Sequence, residues 1–222
     1  MKVKICGITC LEDALAAINA GAGLLGFNFY PPSPRCISLQ DCRRILQAVA
    51  GCGVTMVGVF VNTSPQAVSR ILDDCGLDLA QLSGDEPPED LAALGGRAFK
   101  ALRPRQASDL QAGLERYPQH TGEPAYLLDA GLPGAYGGTG KMADWGLAAG
   151  LAERFPLLLA GGLNAANVAA AVRQVRPWGV DVASGVEWAP GRKDPDQVRD
   201  FIRQAQVAAA AIQPGRRDCP PV

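Results

Sequence analysis

A thiol and a carboxylate are the two groups in this chain best suited to move protons. The chain opens Met1-Lys-Val-Lys-Ile-Cys-Gly-Ile-Thr9, which reads as a short strand ending on a cysteine, with a glycine opening the loop. Alternate residues of a strand share a face, so Lys2, Lys4 and Cys6 point one way and Val3 and Ile5 the other. The apolar pair suits packing against helices. Lys4 and Cys6 then face the centre of whatever the sheet encloses. Further along, Asp129 ends a strand and faces inward with Leu127, while Tyr126 and Leu128 face outward. A thiol and a carboxylate confronting each other across a pocket form an acid–base pair. A free thiol has a pKa near ~8.5, so a neighbouring cation favours the thiolate. Lys4, one inward step below Cys6, is such a cation, and Asp181 on the adjacent last strand is its expected buried partner. Two plainer readings stand beside these. Lys4 and Asp181 serve equally well as a structural ion pair, and most free cysteines are simply small buried hydrophobes.

Two glycine-rich segments supply a place for an anion. The first is Leu159-Ala-Gly-Gly-Leu-Asn164 and the second Asp181-Val-Ala-Ser-Gly-Val-Glu187. Adjacent glycines let backbone N–H groups approach an anion closely, so Gly161, Gly162, Ser184 and Gly185 are the candidate phosphate donors. Arg35 follows the stiff Tyr30-Pro-Pro-Ser-Pro34 run. Its planar fork suits a carboxylate or a phosphate, and a solvated surface arginine is an even alternative. The glycine-rich stretch Ala130–Lys141 is long enough to fold over a ligand.

Other chemistries fit poorly. The seven cysteines form no CxxC pair and the single histidine, His120, lies in a polar stretch, so neither a metal cluster nor a Ser-His-Asp hydrolase is expected. The odd thiol count favours a reducing, cytoplasmic setting. A formal net charge of −1, with no long run of one sign, gives no reason to expect nucleic acid or an anionic membrane as partner. The N-terminus lacks the apolar stretch of a signal peptide, and no apolar run is long enough to span a bilayer.

The elements that must position these groups alternate. Apolar runs at Val3–Cys6, Leu24–Phe29, Thr55–Val61, Leu79–Leu82, Ala98–Leu102, Ala125–Asp129, Leu157–Ala160 and Gly179–Ala183 read as strands. Amphipathic stretches Leu11–Ala20, Leu39–Ala50, Pro65–Cys75 and Ala165–Val175 lie between them. Ser38, Ser64-Pro65, Asn164 and Asp194-Pro195 mark helix starts, and Gly21, Gly51 and Gly76 follow helices. Strands alternating with helices argue for a parallel sheet. Eight such units over 222 residues, 48% of them hydrophobic, predict an α/β fold formed by a single (β/α)8 (TIM) barrel. The open doubly wound sheet is disfavoured, because Cys6-Gly-Ile-Thr-Cys10 is not a dinucleotide fingerprint. The barrel is predicted over 1–207, with 208–222, rich in turn formers, as a flexible C-terminal tail. In such barrels the loops at the C-terminal strand ends build the active site.

Taken in order, several stretches carry a resemblance over nearly the whole chain, to about Phe201. They are Lys4-Ile-Cys-Gly-Ile-Thr9, Gly26-Phe-Asn-Phe-Tyr30 with Ser33-Pro-Arg35, Val57–Asn62, Gln81-Leu-Ser-Gly-Asp-Glu86, Leu128-Asp-Ala130, Gly137-Gly-Thr-Gly-Lys141, Leu159–Asn164 and Val180–Glu187. Together these resemble the phosphoribosylanthranilate isomerase family of tryptophan biosynthesis. The resemblance implies an Amadori rearrangement with Cys6 as general base and Asp129 as general acid. It also implies that Arg35 holds the anthranilate carboxylate and that the two glycine loops hold the phosphate. Both chemical steps are proton transfers, so no cofactor and no metal are expected. The partner is a small phosphorylated substrate, and monomer and homodimer are both compatible. One departure is visible: the family usually has a histidine where this chain has Ser83, so that histidine's role is not carried over.

Two rivals remain at this level. A sugar-phosphate isomerase acting on a histidine-pathway aminoimidazole would, by resemblance, use paired aspartates, whereas the first strand here ends in cysteine. A regulatory barrel that only binds a phosphorylated ligand needs neither Cys6 nor Asp129.

Overall fold

A computed structural model of the chain describes residues 1–117, 122–129 and 144–212. His120, the glycine-rich 130–141 stretch, Cys219 and the 213–222 part of the expected tail lie outside the described residues.

Eight parallel strands close into a barrel in sequence order, each paired with the next and the last with the first. They are β1 (Lys2–Cys6), β2 (Leu24–Asn28), β3 (Thr55–Phe60), β4 (Leu79–Leu82), β5 (Ala98–Leu102), β6 (Tyr126–Leu128), β7 (Leu157–Leu159) and β8 (Gly179–Val182). The helices between them are α1 (Leu11–Ala20), α2 (Leu39–Ala48), α3 (Pro65–Cys75), α4 (Pro88–Ala93), α5 (Ala107–Arg116), α6 (Trp145–Ala152) and α7 (Val168–Val175), and α8 (Pro195–Ala211) follows β8. The expected (β/α)8 barrel is therefore the architecture observed.

The two-residue period of the strands sorts the apolar side chains into two shells. Leu24, Val57, Phe99, Ala101, Leu127, Leu158 and Ala160 fill the barrel interior. Val3, Ile5, Leu25, Phe27, Tyr126, Leu128, Leu157 and Leu159 pack outward against the helices. Tyr126 also donates its hydroxyl to the Tyr117 carbonyl at 2.6 Å, so its outward burial leaves no polar atom stranded.

Local chemistry sets the helix ends. Ser38 accepts from the Asp41 amide at 3.1 Å, Asp144 from Gly146 and Leu147, and Asp194 from Asp196 and Gln197. Prolines occupy the first turns of α3 and α8, where a missing N–H costs nothing. Most strands differ from the sequence reading by one residue at one or both ends, and three helix boundaries differ further. The α2 helix stops at Ala48 and not Ala50. Asn164 starts a turn, accepting from the Ala166 and Asn167 amides, and α7 begins only at Val168. The barrel does not end at 207: α8 runs to Ala211, because Ala205 and Ala208 remain buried on its inner face.

One element beyond the barrel matters for the site. After β8 a short 3-10 turn, Ser184–Val186, leads into the antiparallel ribbon β9 (Glu187–Ala189) and β10 (Arg192–Lys193). The ribbon is fastened to the loop after β1 and to α1: Thr9 donates its hydroxyl to the Gly191 carbonyl, and buried Asp13 of α1 accepts from the Lys193 amide at 2.9 Å.

Candidate active site

Strand ends from around the barrel converge on one cavity of about 320 Å³ at the C-terminal mouth. Cys6, Arg35, Asp129 and Asp181 line it, together with Gln81, Ser83 and Arg103. A second, smaller hollow of about 40 Å³ is lined by Gly161, Gly162, Ser184 and Gly185 and shares Asp129, Asp181 and Ala183 with the first. The groups expected to move protons and those expected to hold an anion thus belong to one connected mouth.

Cys6 sits at the end of β1, in register with Gly26 on β2. Gly26 is a matter of space. A Cβ there would stand 2.8 Å from the Cys6 sulfur and 3.1 Å from the Lys4 ammonium, so both groups crowd over the same gap. Lys4 is fully buried and donates to Asp181 Oδ1 at 2.8 Å, its register partner on β8. Burial opposes the Lys4 ammonium, but Asp181 and the Cys6 sulfur more than offset it, so its pKa is raised. For Cys6 the balance falls the other way. Burial pushes the thiol up further than Lys4 pulls it down, and the net shift is upward. A fixed cation and burial thus act on the thiol in opposite senses, and burial prevails.

Asp129 follows β6, and its amide donates to the Leu102 carbonyl at 3.0 Å, extending the β5–β6 ladder by one residue. That pairing fixes the backbone from which the partly exposed carboxylate reaches the cavity.

Arg35 lines the cavity too, but its fork is not open. Nε donates to both oxygens of Glu187, at 2.9 and 3.2 Å, and Nη2 donates to Oε2 at 2.7 Å. Glu187 also accepts from Lys193 Nζ at 2.7 Å. Burial works against the Glu187 carboxylate, yet the bonds from Arg35 and Lys193 hold its pKa below the ordinary value. Sequence reading missed Glu187 and Lys193 as parts of the site. The signal was Pro190-Gly191, a turn dipeptide that makes Glu187 and Lys193 cross-strand neighbours. Gly7 lies directly beneath the arginine: its φ is 78°, and a Cβ there would stand 2.6 Å from Arg35 Cδ.

The smaller hollow is built from backbone. Gly161 and Gly162 have φ values of 90° and 63°. The Asn167 side chain braces the turn, donating to the Gly162 carbonyl and accepting from the Asn164 amide, each at 2.9 Å. A Cβ on Gly185 would collide with the Leu163 carbonyl, so the loops after β7 and β8 are in direct contact. On β4, Gln81 donates to the Ser83 hydroxyl at 3.0 Å, and both side chains are buried. Among the described residues, no group of three His, Cys, Asp or Glu side chains could hold a metal ion, and no helix is long and apolar enough to cross a membrane.

Fold and cavity together define a (β/α)8 barrel that gathers a thiol, a carboxylate and a glycine-lined anion hollow at its C-terminal mouth. The family model described as N-(5'phosphoribosyl)anthranilate (PRA) isomerase matches residues 3–204. The N-(5'-phosphoribosyl)anthranilate isomerase of Pelobacter propionicus is 47% identical over 206 residues, covering 93% of this chain and 96% of that protein. The crystal structure of phosphoribosyl anthranilate isomerase from Thermotoga maritima superposes with a TM-score of 0.83 at 41% identity, covering 93% of this chain and 99% of that one. A solved phosphoribosyl anthranilate isomerase in complex with reduced 1-(o-carboxyphenylamino)-1-deoxyribulose 5-phosphate superposes with a TM-score of 0.80 at 38% identity, with coverage of 93% and 99%. The chain belongs to the N-(5'-phosphoribosyl)anthranilate isomerase family.

Proposed function

We propose that this protein converts N-(5-phosphoribosyl)anthranilate to 1-(2-carboxyphenylamino)-1-deoxyribulose 5-phosphate by an Amadori rearrangement. The observation that carries the reading is the shared cavity. Cys6 and Asp129 both line it, and it merges with the glycine hollow, in a chain of this family.

Asp129, protonated, donates to the furanose ring oxygen. The C1′–oxygen bond breaks and leaves a Schiff base with the anthranilate nitrogen. Cys6, as thiolate, removes the C2′ proton to give an enolamine. Tautomerisation then moves the C2′ hydroxyl proton to C1′, giving the amino-ketose, and the proton Cys6 took restores Asp129. Each positioned transfer group contributes roughly 10²–10⁴-fold. The raised thiol pKa acts in two opposed ways: less thiolate is present at neutral pH, but each thiolate is a stronger base. Lys4, and after it Lys193, supply positive charge that favours the thiolate against burial.

Binding groups hold the reacting carbons between acid and base. Arg35 takes the anthranilate carboxylate, and the amides around Gly161, Gly162, Ser184 and Gly185 take the phosphate. Ser83 stands where the family usually has a histidine, and its hydroxyl is tied to Gln81, so the wall on that side is small and neutral. The six described thiols are free, which suits a reducing, cytoplasmic compartment. A monomer and a homodimer are both compatible with this reading. The dimeric relative from Thermotoga maritima has been converted to monomers.

The test is a fluorescence assay of phosphoribosylanthranilate consumption with the purified protein. Turnover of this substrate, and none of a histidine-pathway aminoimidazole substrate, is the expected result. Binding without turnover would leave only the regulatory reading.

A further inference from the structure

Resting on the reading that Arg35 receives the substrate carboxylate, we infer that Glu187 and Lys193 are positioning residues for that recognition, with Glu187 aiming the arginine and Lys193 restoring the positive charge that Glu187 cancels. A cavity arginine meant for an anion would be expected to keep its fork free. Here three hydrogen bonds from Nε and Nη2 are spent on Glu187. An Arg35–Glu187 pair alone is neutral, and its carboxylate would repel the carboxylate it is meant to help bind.

Lys193 resolves the contradiction. It is 1% exposed, and its ammonium donates to Glu187 Oε1 at 2.7 Å and to the Ala183 carbonyl at 3.1 Å. Arginine, glutamate and lysine then sum to one positive charge. Lys193 is walled off from solvent, so that charge is expressed through the arginine, the one member that lines the cavity. The grip on Nε and Nη2 leaves Nη1 without a hydrogen bond among the described residues, as the edge available to a ligand. Glu187 holds both cations, its Oε1 shared by Arg35 Nε and Lys193 Nζ, so the fork sits in one orientation before any ligand arrives.

The scaffold is rigid for the same purpose. The β9–β10 ribbon carries both Glu187 and Lys193. Asp13 of α1 holds the Lys193 amide and Thr9 holds Gly191, so the ribbon is anchored to the loop that follows Cys6 and to the helix after it. A Cβ on Gly191 would stand 3.0 Å from the Pro34 carbonyl, which places the ribbon turn directly against the Arg35 loop. Neither Glu187 nor Lys193 lines the cavity beside the arginine. Lys193 also favours the Cys6 thiolate through its charge, so its part in recognition is read from binding and not from turnover.

A comparison of binding alone therefore defines the experiment. Calorimetry would compare two ligands, the reduced product analogue and the same molecule lacking its ring carboxylate, on the wild type, Lys193→Met and Lys193→Arg. The wild type is expected to prefer the carboxylated ligand. Lys193→Met should weaken that ligand about tenfold, the size expected for one charge lost roughly 10 Å away at an effective dielectric near 20. It should leave the other ligand within about twofold, and Lys193→Arg should restore the preference. Equal weakening of both ligands, no change in either, or failure of Lys193→Arg to rescue would overturn the inference. A wild type with no preference would instead overturn the assignment of Arg35. If Lys193→Met does not fold, a crystal structure of the wild-type complex decides. A ligand carboxylate on Arg35 Nη1 with the Glu187–Lys193 bond intact supports the proposal; a carboxylate bound elsewhere, or Lys193 released from Glu187, refutes it.

Discussion

Gly7→Ala tests how tightly the loop after β1 is coupled to the arginine across the mouth. Gly7 has a φ of 78°, and alanine in the left-handed region costs about 1–2 kcal/mol. The new Cβ would stand 2.6 Å from Arg35 Cδ and 3.2 Å from its Cβ and Cγ. Carbon atoms normally rest about 3.5–4.0 Å apart, so the arginine must retreat by about 1 Å. It has little freedom to do so, because its amide is tied to the Ser33 hydroxyl and its guanidinium to Glu187. Losing one charge-assisted bond to Glu187 adds about 1.5–3 kcal/mol. The expected destabilisation is about 2.5–5 kcal/mol, read from urea unfolding. Displacing a substrate-holding group by about 1 Å costs up to ~10²-fold, so kcat/KM for phosphoribosylanthranilate should fall by one to two orders of magnitude, mainly through KM. A folded Gly7→Ala protein with kcat/KM within twofold of the wild type would refute the reasoning.

Lys4→Met should destabilise by about 3–5 kcal/mol, because it strands the Asp181 carboxylate now paired at 2.8 Å. In urea titrations the double variant Lys4→Met/Asp181→Leu should lose less than the single one, and a larger loss would contradict the pairing. Alkylation of Cys6 by iodoacetamide, followed by mass spectrometry of its peptide, should still be accelerating at about pH 9, because burial raises the thiol above its ordinary value. A plateau below pH 8 would be inconsistent with this. Glu187 is held below its ordinary 4.5, so its contribution to stability is complete above about pH 4.5 and drains away as pH falls through the folded value. Glu187→Gln should therefore show a flatter loss of stability than the wild type between pH 5 and 3, and parallel curves would deny the carboxylate this role.

The barrel was legible because each strand announces itself by a short apolar run with turn formers on either side. The inward placement of Lys4, Cys6, Leu127 and Asp129 followed from the two-residue period alone. The Lys4–Asp181 pair followed once the last strand was placed beside the first, since closure puts them in register. Helix ends were less legible. Asn164 carries the right side chain for a cap but spends it on a turn, and α8 continues past 207 because small buried alanines keep its inner face packed. Arg35 shows the deeper limit. Its proline-stiffened loop left recognition and a solvated surface arginine even, and its partner Glu187 is 152 residues away. No local pattern encodes a contact between two loops that meet only when the barrel closes. The Pro190-Gly191 turn carried half of that information, pairing Glu187 with Lys193, and left the arginine unconnected.

The central claim is that one thiol and one carboxylate share the proton transfers in a single cavity. The most direct measurement compares turnover of phosphoribosylanthranilate by the wild type, Cys6→Ala and Asp129→Asn, alongside calorimetric binding of the reduced product analogue. The account predicts that each variant loses at least about 10²-fold in kcat while still folding and binding the analogue. Full turnover by either folded variant would remove that residue from the chemistry and contradict the claim.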